Sequence, residues 1–143
     1  MKSGRRRARE FVLQGLYQWI LAGHDADAIA ADLGSAAGFA KIDTDYFSTL
    51  LRGVIANIEP LQTAIAPYLD RPVKELAPIE RAILLLGTFE LVHQPDVPYR
   101  VVINEAVELA KSYGGTDGHK YVNGVLDKVA GEVRAVEIRA RSG

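Results

Sequence analysis

The chain has 143 residues, 48% of them hydrophobic and 24% charged, with a formal net charge of −1 and no cysteine. That length fits one domain able to bury a sizeable core, and no stretch approaches the roughly 20 apolar residues that cross a bilayer. Without cysteine there are no disulfides, no Cys-ligated zinc and no thiol nucleophile, which points to a reducing, cytoplasmic setting.

The near-neutral sum conceals an asymmetry. Lys2, Arg5, Arg6, Arg7 and Arg9 make the first nine residues +5, while the remaining 134 carry 12 basic against 18 acidic residues, or −6. Clustered guanidinium groups raise the local affinity for phosphate. The run leads without a break into Ala8, Val12, Leu16, Trp19 and Ile20 at helical spacing, which predicts arginines on the first turns of a packed helix. Arg6 and Tyr17 fall about 20° apart on that helix, a basic group and a ring on one stripe. Glu10, Gln14 and Gln18 interrupt the apolar residues behind the arginines, so no secretory leader is expected.

The helical period continues along the chain. Asp25 or Asp27 caps a short Ala-rich helix ending near Gly34, and Ser35 to Ile42 reads as a loop. Asp43 to Asp45 offers caps for a helix burying Tyr46, Phe47, Leu50, Leu51, Val54, Ile55 and Ile58. A further helix is expected to begin just after Pro60, with Pro67 disturbing its last turn. Pro78 to His93 is apolar nearly all round, the pattern of a helix surrounded by others. Tyr99, Val102, Ile103, Ala106, Leu109, Ala110 and Tyr113 form the inner face of the next helix. Thr116 or Asp117 caps the last, whose Val122, Val125, Leu126, Val129 and Ala130 fit the helical template. No period-two alternation competes. The expectation is an all-α protein of about seven helices, a single domain over 1–131, and a frayed tail over 132–143.

Catalytic chemistry has little support. His24, His93 and His119 lie in separate segments without an i, i+4 partner, so no metal site is expected. Gly34 to Gly38 lacks the lysine and strand of a phosphate loop, and no serine sits in a nucleophile elbow. The chain reads as a binding protein with neither catalytic residues nor cofactor. Three features carry that reading. The first is the arginine run with Tyr17. The second is Asp117 to Gly124, where a helix start and Lys120 favour phosphate. Tyr121 there is either a core-edge residue or a ring for stacking. Cations along a backbone and rings for splayed bases are the chemistry of single-stranded RNA recognition. The third is the Pro-bounded charged corner from Tyr68 to Glu75, running into Glu80 and Arg81, which is either a solvated turn or a protein-docking corner.

Several of these segments together resemble the NusB family of bacterial transcription antitermination factors. Arg5-Arg6-Arg7-Ala8-Arg9-Glu10 with Gln14-Gly15-Leu16-Tyr17 is similar to the family's opening. Val97 to Lys111 and His119 to Asp127 are similar to its closing half, so the likeness spans nearly the whole chain. The resemblance implies two small packed helical bundles. It also implies binding to boxA-type single-stranded RNA jointly with NusE, a small-subunit ribosomal protein, within a transcription elongation complex that reads through terminators, notably in ribosomal RNA operons. By position, the RNA face would include Lys2, Arg5, Arg6, Arg7, Arg9, Tyr17, Lys120 and Tyr121. Tyr68, Glu75 and Glu80 match the side facing NusE, and Asp117 an acidic residue near both surfaces. Gly118 stands where the family commonly has Ser, and the 35–42 loop is richer in Ala and Gly than the family's. A second copy of the chain is a further candidate partner.

Two rivals belong to other classes. The fold also resembles the RNA-docking domain of ribosomal-RNA cytosine methyltransferases, but 143 residues without strand patterns leave no room for a methyl-donor domain. The other is a helical protein-interaction adaptor whose arginines are merely solvated.

Overall fold

The computed structural model describes residues 3–142, so the expected RNA contact at Lys2 lies outside the described residues. Helix starts follow local chemistry. The helix α1 (Gly4–Ala22) begins where the Ser3 hydroxyl accepts the Arg6 N–H at 3.0 Å, and ends on Gly23 in the left-handed region at φ 71°. Asp25 accepts the Ala28 N–H at 2.8 Å to start α2 (Ala26–Gly34), and Asp43 accepts that of Tyr46 at 3.0 Å to start α3 (Thr44–Ala56). Each cap satisfies an N–H that the first helical turn leaves without a partner. The 35–42 loop contains a 3₁₀ turn, Phe39–Lys41, whose Phe39 ring meets Phe11 and Phe47 edge-on at 5.3 and 4.9 Å.

Pro60 does not precede its helix. The helix α4 (Ile58–Ile65) starts two residues earlier and holds Pro60 in its first turn, where no N–H is needed. A 3₁₀ turn at Ala66–Tyr68, containing Pro67, ends it, as the sequence leads one to expect. Then come α5 (Pro78–His93), α6 (Tyr99–Tyr113), α7 (Gly118–Val133) and α8 (Ala135–Ser142); among the described residues there is no strand.

The helix α5 is the axle. It packs against α1, α3, α4, α6 and α7, and every residue from Ala82 to Leu91 is buried. One small bundle, α1 to α3, lies against it on one side, and α4, α6 and α7 form the second. One continuous apolar core joins the two. Gly53 lets α3 approach α5, since a Cβ there would lie 2.2 Å from the Phe89 ring.

Two charges sit inside this core. Glu90 of α5 is 2% exposed and Arg9 of α1 is 4% exposed. Arg9 donates Nε and Nη2 to the two Glu90 oxygens, both at 2.8 Å, and the Tyr46 hydroxyl donates to Glu90 Oε2 at 2.6 Å. Glu105 of α6 adds a second carboxylate 3.5 Å from Arg9 Nη1. Burial opposes the charge on Arg9, yet the bonds and charge of Glu90 hold its pKa above the ordinary arginine value. Burial and then the Glu90 charge likewise push the Tyr46 hydroxyl up.

The frayed tail expected from residue 132 is helical instead. Arg134, between α7 and α8, is buried and donates to the main-chain oxygens of Leu91 and Gln94 at 2.8 and 2.9 Å. The anchor is polar, so the apolar pattern did not announce it.

Removing one partner of a buried ion pair leaves the other uncompensated. Glu90→Ala should therefore lower stability in urea unfolding by about 3–5 kcal/mol. The triple change Arg9→Met, Tyr46→Phe, Glu90→Leu, which leaves no orphaned polar group, should recover most of it. A Glu90→Ala loss under about 1 kcal/mol would mean that the pair is hydrated in solution.

Candidate nucleic-acid interface

Successive residues of a helix turn by about 100°, so the arginine run at the start of α1 is fanned around it. Arg5 lies over the Tyr46 ring, 4.2 Å from its centroid, and 3.8 Å from Asp43. Arg6 forks onto Glu105 of α6, with Nε 2.9 Å from Oε1. Arg7 turns the other way, toward Gly38, where its Nη2 would lie 2.9 Å from an added Cβ. Arg9 goes inward to Glu90. The expectation of Arg9 as a surface phosphate contact is thus corrected, because its guanidinium is buried and both its forked bonds are taken. With Val12, Leu13 and Leu16 it occupies i, i+3, i+4 and i+7 of the buried stripe, a signal already present in the sequence.

Arg5 and Arg6 border a groove of about 540 Å³ whose far wall is the α5–α6 turn at Asp96, Val97 and Pro98. Further along α1, Tyr17 is 38% exposed and lines an apolar hollow of about 270 Å³ with Ile79 of α5 and Tyr113 of α6. Arg6 and Tyr17 do share a side of α1, the one that faces α6. Tyr113, assigned by its spacing to the inner face of α6, is 46% exposed and its hydroxyl donates to Glu10 at 3.3 Å.

A further set of expected site residues lies at the start of α7. Asp117 adopts φ 63°, the only non-glycine left-handed residue among the described ones, and its side chain makes no cap bond. Its backbone oxygen accepts the Lys120 N–H at 3.1 Å, and Lys120 Nζ lies 3.4 Å from its carboxylate. Gly118 is buried under Glu80; an added Cβ would stand 3.2 Å from the Glu80 Cδ. Tyr121 is half-buried at the core edge. Its hydroxyl accepts from the Asp70 N–H at 3.1 Å and donates to Asp70 Oδ1 at 3.0 Å. Arg71 binds the same carboxylate and holds Asp70 below the ordinary range.

A second hollow of about 270 Å³ gathers Asp70, Arg71, Glu80, Asp117 and Tyr121, so an expected RNA residue and two expected partner residues border one another. Glu75 lies exposed on the 3₁₀ turn Val73–Glu75 at the chain corner. Tyr68 points elsewhere, toward Glu132 on the last turn of α7; burial, then the nearby Glu132 carboxylate, raises its pKa. Glu105, Asp70, Ile79 and Tyr113 were not singled out from the sequence, because nothing local marks which residues another helix will bring alongside.

Two exposed arginines, two exposed tyrosines and an acidic hollow on an all-helical scaffold are the chemistry of a surface that holds macromolecules. The chain belongs to the NusB family, whose model matches residues 6–131. It is 60% identical over 140 residues to the transcription antitermination protein NusB of Ralstonia pickettii, covering 98% of this chain and 90% of that one. With the protein of the same name from Thiobacillus denitrificans the identity is 59%, over 96% of this chain and 95% of the relative. Among solved structures, T. maritima NusB superposes with a TM-score of 0.81 at 32% identity, covering 92% and 94% of the two chains. A chain from the crystal structure of the antitermination factors NusB and NusE in complex with dsRNA superposes with a TM-score of 0.75 at 26% identity, covering 90% and 97%. Among the described residues no helix is long and apolar enough to cross a membrane.

The hydrogen bond from Arg6 holds the Glu105 carboxyl below the ordinary glutamate range, against its burial and with further help from Arg6 and Arg9 charge. A depressed carboxylate stabilises the fold fully above its unfolded pKa and loses that contribution as pH falls through the folded value. Stability should therefore drop below about pH 4, and Glu105→Gln should flatten that acid limb while lowering stability at pH 7. Thermal unfolding across pH checks this; an unchanged acid limb would show that Glu105 is not ion-paired in solution.

The Tyr121 hydroxyl is engaged, so Tyr121→Phe is not silent for the fold. It should cost about 0.5–1.5 kcal/mol in urea while leaving the ring in place. Equal stability of the two proteins would place Asp70 on water rather than on Tyr121.

Proposed function

We propose that this chain is a transcription antitermination factor that binds boxA-type single-stranded RNA together with NusE, within the elongation complex and notably on ribosomal RNA operons. The observation that carries the reading is family membership joined to three hollows, one bordered by Arg5 and Arg6, one by Tyr17 and one by Tyr121, with Lys120 exposed beside the last. The superposition on a chain from the NusB–NusE–dsRNA crystal supports it. Arg5, Arg6 and Lys120 supply exposed cations for phosphates, joined by Lys2; Tyr17 and Tyr121 offer ring faces on which bases stack. Arg7, turned toward Gly38 on another side of α1, is left out of that set. The acidic hollow with Glu80 and Asp117 suits a basic ribosomal protein, with exposed Glu75 on the preceding 3₁₀ turn adding charge and Tyr68, turned toward Glu132, as a more distant contact. An activity of this kind belongs in the cytoplasm, beside RNA polymerase, and requires no reaction of its own.

The test is a titration of boxA-like, scrambled and duplex RNA, with and without NusE, over a range of salt. Each phosphate neutralised on a single strand contributes about −0.7 to the slope of log K against log[salt]. Four engaged cations therefore give a slope of about −2.8, and Arg5→Gln with Arg6→Gln should flatten it by about 1.4. A preference for scrambled RNA, or a slope unaltered by the double change, would place recognition away from these residues.

A further inference from the structure

The C-terminal segment caps two helices at once. Arg134 is 6% exposed, and its guanidinium donates to the main-chain oxygens of Leu91 at 2.8 Å, Gln94 at 2.9 Å and Glu90 at 3.3 Å. These belong to the end of α5, where a helix leaves its last carbonyls unpaired and its dipole favours a cation. Glu137, one turn into α8, pairs with Arg134 and accepts the N–H of Tyr99 at 3.0 Å. Tyr99 opens α6, and a carboxylate there meets the positive end of that helix. One ion pair thus closes both ends of the Gln94–Pro98 turn.

That turn is the wall opposite Arg5 and Arg6 in the arginine groove. The residues it joins also reach α1 from within. Glu90, whose backbone oxygen Arg134 holds, binds Arg9 with its side chain, and α6 carries the Glu105 that binds Arg6. Neither Arg134 nor Glu137 lines the groove. The pair also lies beyond residues 6–131 that the family model matches. We propose that Arg134 and Glu137 are positioning residues for the RNA groove: they hold the 94–98 turn at its height against α1, so the C-terminal helix sets RNA affinity without touching RNA. The inference rests on the reading of that groove as an RNA site.

The experiment titrates a boxA-like single-stranded RNA oligonucleotide into the full chain and into Arg134→Ala, Glu137→Ala, Glu137→Gln and the Arg5→Gln/Arg6→Gln double variant, at several salt concentrations. Arg134→Ala and Glu137→Ala should bind about 3- to 30-fold more weakly with the parent's salt slope, since no phosphate partner is lost. Amide exchange at Tyr99 and Val101 should quicken in both. Glu137→Gln keeps an acceptor for the Tyr99 N–H and should recover most of the affinity, which a general loss of stability would not allow. Should both alanine variants bind RNA like the parent while the double variant is weakened, the positioning role is overturned and the RNA reading stands. A slope flattened by about 0.7 in Arg134→Ala would make Arg134 a phosphate contact and overturn the inference equally. If the double variant binds like the parent, the groove is not the RNA site and both fall. If Arg134→Ala does not fold, the two Glu137 variants decide alone.

Discussion

The buried contact between Arg9 and Glu90 is the constraint on which the rest of the structure depends. A guanidinium and a carboxylate inside a core are tolerable only when both are paired with good geometry and their remaining lone pairs and protons are used. Here Arg9 forks onto Glu90, Tyr46 takes a further bond to it, and Glu105 stands by. Those four residues come from α1, α5, α3 and α6. Sliding α1 along α5 by one residue would turn Arg9 away from Glu90 and leave both charges unpaired, whereas an apolar contact would tolerate the shift. Such a pair contributes register more than net stability. It fixes where α1 begins relative to α6, and so where Arg5, Arg6 and Tyr17 are displayed.

The same arrangement divides the N-terminal charge. Arg9 is consumed by the core, Arg6 is shared with Glu105, Arg5 rests on Tyr46, and Arg7 leaves on another side. A phosphate approaching Arg6 must compete with a forked carboxylate, an interaction about twice as strong as a neutral hydrogen bond. The proposed RNA face is therefore less a field of free cations than a short set of positioned ones, with Tyr17 and Tyr121 left to contribute through their ring faces. Its far end meets the acidic hollow at Asp117 and Glu80. Opposite potentials that adjoin in this way suit a polyanion and a basic protein held side by side, each partner screening the charge that would repel the other.

Helix identity was legible in the chain itself, because it depends on neighbours within one turn. Asp25 and Asp43 supply start signals, and the all-apolar run from Ala82 marked α5 as the centre. The family likeness was legible too, since Arg5 to Tyr17, Val97 to Lys111 and His119 to Asp127 are contiguous stretches. Local reading failed where the decisive partner is distant. Pro60 was placed ahead of α4, although the first turn of a helix accepts proline. The tail beyond Gly131 was read as frayed, because an anchor made of Arg134 and three carbonyls has no apolar period.

The sequence by itself determined the all-helical class, the boundaries of α1 to α7 to within a few residues, and the family, but not α8. Only the tertiary structure decided which of the basic residues still face solvent, since Arg6 finds Glu105 and Arg9 finds Glu90 across 99 and 81 residues of chain. It also decided that Tyr121 is tied to Asp70 while Tyr113 reaches Glu10 beside an exposed Tyr17. Helical periodicity is an interaction between residues three and four apart, and every sequence carries it openly. Whether a charge is free depends on which opposite charge packing brings within 4 Å of it, and that is settled only when the helices meet.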